Sequence, residues 1–358
     1  MKQIMTAAVL LCGAFAANTQ TMNDINRNTQ LPQPEQLVLV DDWDKVFAKS
    51  DKVEHSKVTF VNRYGITLAA DVYRPKGPST PLPAVAVSGP FGAVKEQSSG
   101  FYAQQLAERG FLAIAFDPSF TGESGGMPRR VASPDINTED FSAAVDFLAT
   151  NPDVDPERIG ILGICGWGGF AVSAAASDSR IKAAVASTMY DMCRVTANGY
   201  FDADDSAEAR DRARAALNAR RTEDYRNGAD ARAGGVADTI PADAPQFMHD
   251  YYDYYKTPRG FHPRSGNSTD GWNVTSALPF INFTLGDRAS EIVNPVMIVH
   301  GEKAHSCYFG EDMFHRLNGD NKKLVIVPGA SHTDLYDRLD KIPFDAIADF
   351  YNESMPAR

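Results

Sequence analysis

The stretch RIGILGICGWGGFAV, residues 158–172, decides how this chain is read. A short apolar run ends in a glycine, a cysteine follows at 165, and glycines at 166, 168 and 169 lead into a helical pattern. A strand that turns at once into a helix, with a reactive side chain at the apex, strains the backbone there and needs small neighbours against the sheet. A thiol at that apex lies over a helix N-terminus, which favours its thiolate. Cys165 is therefore a candidate nucleophile. The competing reading is a small buried residue in a glycine-rich packing site.

The flanks tell for the first reading. KVTFVNRYGITLAADVYRP (57–75) alternates like a β-hairpin with its turn at Tyr64-Gly65. PAVAVSG (83–89), FLAIAFD (111–117), RIGILGI (158–164) and IKAAVAST (181–188) are short apolar runs of the kind that form buried strands. GFYAQQLAERG (100–110) and TEDFSAAVDFLATN (138–151) have helical spacing between them. The alternation resumes with NPVMIVHG (294–301), GEDMFHRLN (310–318), KKLVIVPG (322–329) and PFDAIADFYNESM (343–355). This order predicts an α/β fold: a mainly parallel central sheet flanked by helices, with an antiparallel hairpin in front. Residues 53–188 and 292–358 form the expected core. Residues 189–291 break the alternation and are too long for a loop, so they are expected as a mostly helical inserted cap.

The 358 residues are 43% hydrophobic and 23% charged, with a net charge of −11. That balance argues against a nucleic-acid or anionic-membrane surface. The arginine-rich run at 210–221 reads as a solvated helix face. Residues 1–16 have Lys2, a short apolar run and a small-x-small site at 14–16, the pattern of a secretory signal peptide, which predicts export, to a periplasm. Residues 17–52 read as a polar lead-in. No segment beyond the leader is long and apolar enough to span a membrane. With the leader removed three cysteines remain, too few for a disulfide-built fold.

Catalytic groups in such sheets lie beyond the carboxyl ends of the strands. The loop after the third strand offers the Phe91 amide, since Pro90 cannot donate, and the Gly166 amide follows the nucleophile. Together they are the candidate oxyanion hole. His332, in VPGASHTDLYD (327–337), follows the last strand, and the order nucleophile, acid, histidine is the one this fold uses. Glu302 is the expected acid, with Asp191 the competitor, because Ala304 stands at the other obvious place. Neither a dinucleotide fingerprint nor a Walker loop is present, and His300 and His305 have no metal-ligand spacing, so no cofactor and no metal are expected. Asp117, Gly122 and Ser124 read as structural.

FDPSFTGESGG (116–126), GICGWGGF (163–170), YYDYYKTPRGFHPRS (251–265), GEKAHSCYFGED (301–312) and VPGASHTDLYDR (327–338) together resemble a bacterial group of α/β-hydrolases related to dienelactone hydrolases. The likeness runs from about Val58 to the C-terminus. It implies the α/β-hydrolase fold, a Cys-His-acid triad of Cys165, His332 and Glu302, and hydrolysis of a small-molecule ester, lactone or thioester through an acyl-enzyme. Acyl transfer or small-peptide cleavage by the same triad, and a binding protein without turnover, are the rivals. Two departures stand out. Trp167 occupies a position where that group has a small residue, so its indole must pack beside the elbow or enter the pocket. Cys193 and Cys307 replace other residues after strands expected to be neighbours, which suggests a disulfide. Trp167, Tyr254 and Tyr255 are the candidate substrate-binding residues, although a tyrosine cluster can equally be the cap's own core. Arg259, His262 and Arg264 could meet a substrate carboxylate or stabilise turns.

Overall fold

Alternation of side chains across the strands builds the molecule from the middle outward. In the computed structural model, which describes residues 32–77 and 81–357, eight strands form one sheet. They are β1 (Val53–Val61), β2 (Thr67–Pro75), β3 (Leu82–Ser88), β4 (Leu112–Phe116), β5 (Val154–Ile164), β6 (Ala183–Ser187), β7 (Val296–Gly301) and β8 (Lys322–Val327). Their order is β1-β2-β4-β3-β5-β6-β7-β8. β1 and β2 pair antiparallel around the turn at Gly65 (φ 81°), and β2 pairs antiparallel with β4. All other pairs are parallel.

The central strands are apolar on both faces, as a sheet covered on both sides requires. Ala84, Ala86, Leu112, Ile114, Ile159 and Ile161 join the core on one face, whereas Val85, Val87, Ala113, Ala115, Leu162 and Ile164 join that on the other. Helices α1 (Ser98–Ala107), α2 (Pro134–Ala149) and α3 (Gly166–Ser177) follow β3, β4 and β5. The leader proposed for residues 1–16 lies outside the described residues.

Between β6 and β7 the chain leaves the sheet through α4 (Met192–Asn198), α5 (Ala207–Asn227), α6 (Gln246–Tyr255) and α7 (Ala277–Asn282), with short 3₁₀ turns between them. α5 is capped by the Ser206 hydroxyl, which accepts from the Ala209 amide, and stopped by Gly228 at φ 62°. None of its residues is buried, and its charges form ladders such as Arg220–Asp224. α6 behaves differently: Tyr254 and Tyr255 are buried against the loop after β8. α8 (Cys307–Arg316) follows β7, α9 (Asp334–Asp337) forms one turn after β8, and α10 (Phe344–Ser354) closes the chain. No helix among the described residues is long and apolar enough to cross a membrane.

Candidate active site

Cys165 stands where β5 meets α3, at φ 59° and ψ −127°. A residue with a Cβ rarely adopts that conformation, and it persists only where its surroundings enforce it. Three backbone bonds do so here. The Cys165 amide donates to Ser187 O at the end of β6, and Cys165 O accepts from the Gly168 and Tyr190 amides, each at 2.9 Å. The glycines follow from this tight turn. A Cβ on Gly163 would lie 2.0 Å from the Trp167 carbonyl oxygen, and one on Gly166 would lie 2.8 Å from Phe91 and Met192. The local sequence thus makes a sharp strand-to-helix elbow with Cys165 at its apex, and the loop after β3 faces it.

The backbone amides of Gly166 and Phe91 both donate toward the Cys165 sulfur. Asn267 holds that second donor from the cap side: its side-chain amide donates to Phe91 O (2.8 Å) and its backbone amide to Gly92 O (3.0 Å). The Ser265 hydroxyl donates to the same Gly92 oxygen at 2.8 Å. A pair of amides aimed at one point beside a nucleophile is the arrangement that stabilises a developing oxyanion.

His332 lies in the loop after β8, buried. Its Nδ1 is 2.9 Å from Thr188 Oγ1 and 2.6 Å from Ser306 Oγ. Its Nε2 is 3.1 Å from the Tyr336 hydroxyl, and that hydroxyl in turn lies against the Cys165 thiol. Glu302 is not brought to the imidazole. It is exposed, and its carboxylate accepts from the Gly329 amide at 2.7 Å. The backbone after β7 turns outward at Glu302 and back at Ser306, so the serine hydroxyl meets Nδ1 in its place. Asp191 caps α4 by accepting from the Arg194 amide at 2.9 Å. The expectation of a carboxylate on His332 is corrected accordingly: two hydroxyls hold the ring.

Burial sets the charge state. It pushes the Cys165 thiol above its ordinary value despite the donors around it, and it holds the His332 imidazole well below its own, with His305 and His300 acting in the same direction. The resting pair is thiol and neutral imidazole, rather than the thiolate expected from the helix terminus alone.

A cleft of about 190 Å³ opens on the sulfur, lined by Phe91, Cys165, Tyr190, Met192, Tyr200, Val236, Tyr251, Asn267 and Tyr336. Trp167 is absent from its wall. The indole is 1% exposed, with Phe170, Phe141 and Phe116 edge-on at ring-centroid distances of 5.2, 5.5 and 5.8 Å. α3 points it into the sheet, so it is a core residue. Tyr254 and Tyr255 also lie behind the cleft, and Tyr254 packs on Tyr336 at 4.9 Å. The cap instead lines the cleft with Tyr190, Tyr200 and Tyr251, together with Met192, Val236 and Asn267. The Tyr190 hydroxyl joins the hydroxyls of Tyr200 (3.0 Å) and Tyr251 (3.2 Å) and also His305. Cys193 and Cys307 are free thiols, which removes the suggested disulfide.

The other expected polar groups hold the loops in place. Arg259 grips Asp337 with two bonds (2.9 and 2.6 Å) and Thr333 O with a third (2.9 Å), tying α6 to the histidine loop. Arg264 pairs with Asp44 (2.7 Å) and Glu96 (2.8 Å), and His262 Nε2 lies 3.7 Å from Asp44. Glu96, Asp117 and Glu123 bring three carboxylates together in the arrangement a cation would need. The Lys95 ammonium sits among them, touching Glu96, Asp117 (3.0 Å) and Glu123 (2.5 Å). Against the opposing effect of burial, that ammonium holds the Glu123 carboxyl down at about 2. The cluster fixes the loop that carries Phe91.

Sheet order, elbow and facing histidine loop define an α/β-hydrolase. The chain belongs to the X-Pro dipeptidyl-peptidase (S15) family, whose model matches residues 64–334. It is 53% identical over 350 residues to the uncharacterized protein PA2218 of Pseudomonas aeruginosa, covering 97% of this chain and 92% of that one. The crystal structure of PA2218 superposes with a TM-score of 0.86, at 56% identity, over 89% of this chain and 99% of the other. The α/β-hydrolase GrgF of Penicillium sp. sh18 shares the fold at 21% identity and a TM-score of 0.70, over 85% of this chain and all of its own. A shorter match, 34% identity over 133 residues, links 37% of this chain to 41% of thiohydrolase aneE of Aspergillus aculeatus.

Proposed function

We propose that the chain hydrolyses a carboxylic ester, lactone or thioester of a small, uncharged acyl group through an acyl-enzyme on Cys165. One observation carries the reading: Cys165 stands at φ 59° with the Gly166 and Phe91 amides directed to its sulfur, and Tyr336, which lines the same cleft, places its hydroxyl 3.1 Å from His332 Nε2. In this reading the sulfur attacks the substrate carbonyl carbon as its proton passes toward His332 Nε2, and the carbonyl oxygen, now an oxyanion, enters the amide pair. The imidazolium returns the proton to the leaving oxygen or sulfur. Water, deprotonated by the same imidazole, then cleaves the thioester to Cys165.

The cleft lining supports an uncharged acyl group. The described residues around it include no carboxylate and no ammonium or guanidinium. Releasing an X-Pro dipeptide, the activity for which the family is named, requires accommodating a free α-ammonium group, and an ammonium taken from water needs an ionic partner. The local likeness to a thiohydrolase supports including thioesters among the substrates. The test is a panel of short-chain esters, lactones and acyl thioesters, together with X-Pro dipeptide amides. Turnover of the acyl compounds, lost in Cys165→Ala and in His332→Ala, is the expected result. Equal turnover in all three proteins, or cleavage of the dipeptide amides alone, would refute it.

A further inference from the structure

The proposed chemistry requires a proton to leave the Cys165 sulfur and reach His332 Nε2, and between them stands a third group. Tyr336 is buried, lines the cleft, and places its hydroxyl 3.1 Å from Nε2 and against the thiol. The backbone that carries this residue is firmly held. The Ser98 hydroxyl donates to Tyr336 O at 2.9 Å, and the Tyr102 hydroxyl donates to Leu335 O at 2.7 Å. The ring is buttressed by Tyr254 at 4.9 Å and Tyr255 at 6.2 Å.

The tautomer of His332 fits a relay. The Thr188 hydroxyl donates its single proton to His332 O (3.3 Å), which leaves its oxygen to accept from Nδ1–H at 2.9 Å. Ser306 Oγ lies 2.6 Å from the same nitrogen, and the relay uses the tautomer in which both hydroxyl oxygens accept from Nδ1–H, which turns the lone pair of Nε2 toward Tyr336.

We propose that Tyr336 is a catalytic proton relay between Cys165 and His332. This rests on the acyl-enzyme reading above. As the sulfur forms its bond to the acyl carbon, the thiol proton passes to the Tyr336 oxygen and the phenolic proton passes to Nε2. The carbonyl π pair moves onto oxygen. Tyr336 ends the step as the neutral phenol and His332 as imidazolium. As the tetrahedral intermediate collapses, the oxyanion pair re-forms the carbonyl and the bond to the leaving oxygen or sulfur breaks; Tyr336 gives its phenolic proton to that leaving atom and takes one from the His332 imidazolium, so the relay consumes nothing.

The experiment is single-turnover acylation by a short-chain thioester, followed in wild type, Tyr336→Phe, Tyr225→Phe, Cys165→Ala and His332→Ala. Folding of each is checked by thermal melting. Acylation excludes water as a reactant, so a bowed dependence of the rate on deuterium fraction reports two protons in flight. The relay predicts such a curve for wild type and a loss of about a hundredfold or more in Tyr336→Phe. It also predicts that the residual rate of that variant climbs with pH as the thiol ionises, while the half-saturating concentration changes by less than threefold. Tyr225→Phe, on the exposed face of α5, is expected to keep the wild-type rate. A linear deuterium dependence in wild type overturns the relay even if Tyr336→Phe fails to fold. So does a Tyr336→Phe rate within threefold of wild type while Cys165→Ala and His332→Ala are inactive, in which case the acyl-enzyme reading stands. Full acylation rates in Cys165→Ala would instead overturn that reading itself.

Discussion

Thr188 and His332 are bonded twice: Thr188 Oγ1 lies 2.9 Å from Nδ1 of the ring and 3.3 Å from the same residue's carbonyl oxygen. Thr188 follows β6 at φ 43°, itself a strained position, and Ser306 reaches the same nitrogen from the loop after β7. β6 and β7 are neighbours in the sheet, which is why their two loops converge on one ring. Orientation by two hydroxyls has a direct consequence. Thr188→Val and Ser306→Ala should each lower kcat by about tenfold, the worth of one hydrogen bond, and the double variant by more. Glu302→Gln should keep its activity within twofold, because the carboxylate is exposed and bound elsewhere. Steady-state rates on one ester decide the point.

The pH behaviour follows from burial. His332 must be neutral to accept a proton, and its depressed value keeps it neutral well below the ordinary histidine range. The acid limb of kcat/KM should therefore fall below pH 6.5, with activity flat across neutrality. The thiol is shifted the other way. Alkylation of Cys165 by iodoacetamide should thus keep rising above pH 9, the ordinary value of a thiol, with no plateau at neutral pH. A plateau near neutrality would mean a resting thiolate–imidazolium pair instead.

Asn267 positions the loop after β3 through its backbone. It clamps both the Phe91 and Gly92 carbonyls, and so aims the Phe91 amide at the sulfur. Asn267→Ala should lower kcat by roughly 10- to 100-fold, less than the complete loss of an oxyanion donor, with a smaller change in KM. Equal kcat in the variant would place the donor elsewhere.

Trp167 tests core against pocket. Replacing an indole packed among three phenylalanines by alanine should destabilise the fold by about 3–5 kcal/mol in chemical denaturation. The milder Trp167→Phe should fold and leave KM within twofold, since the ring does not reach the cleft.

Local features of this protein were legible because they are local. The glycines at 163, 166 and 168 announce a tight strand-to-helix turn, and Cys165 adopts the positive φ that such a turn demands. Apolar runs separated by helical segments state a parallel sheet, and the sheet is there. What escaped the sequence depends on rotation and on neighbours far along the chain. Tyr251, Tyr254 and Tyr255 share one helix, and only its seating on the loop after β8 decides that Tyr251 lines the cleft while the others buttress Tyr336. Trp167 is one residue past the elbow's glycine, yet the first turn of α3 swings it under the sheet. Thr188 and Ser306 carried no sequence signal of their own, being hydroxyls 118 positions apart in the chain. A search at the ends of strands for any hydrogen-bonding side chain, and not for acids alone, would have included both.

The most direct measurement of the central claim is the intact mass of the folded protein a few seconds after mixing with an activated short-chain ester, followed by peptide mapping. The account predicts one acyl group, carried on Cys165, that disappears as product forms and is absent from Cys165→Ala. Turnover with no transient adduct on Cys165, or with the acyl group on another residue, would contradict it.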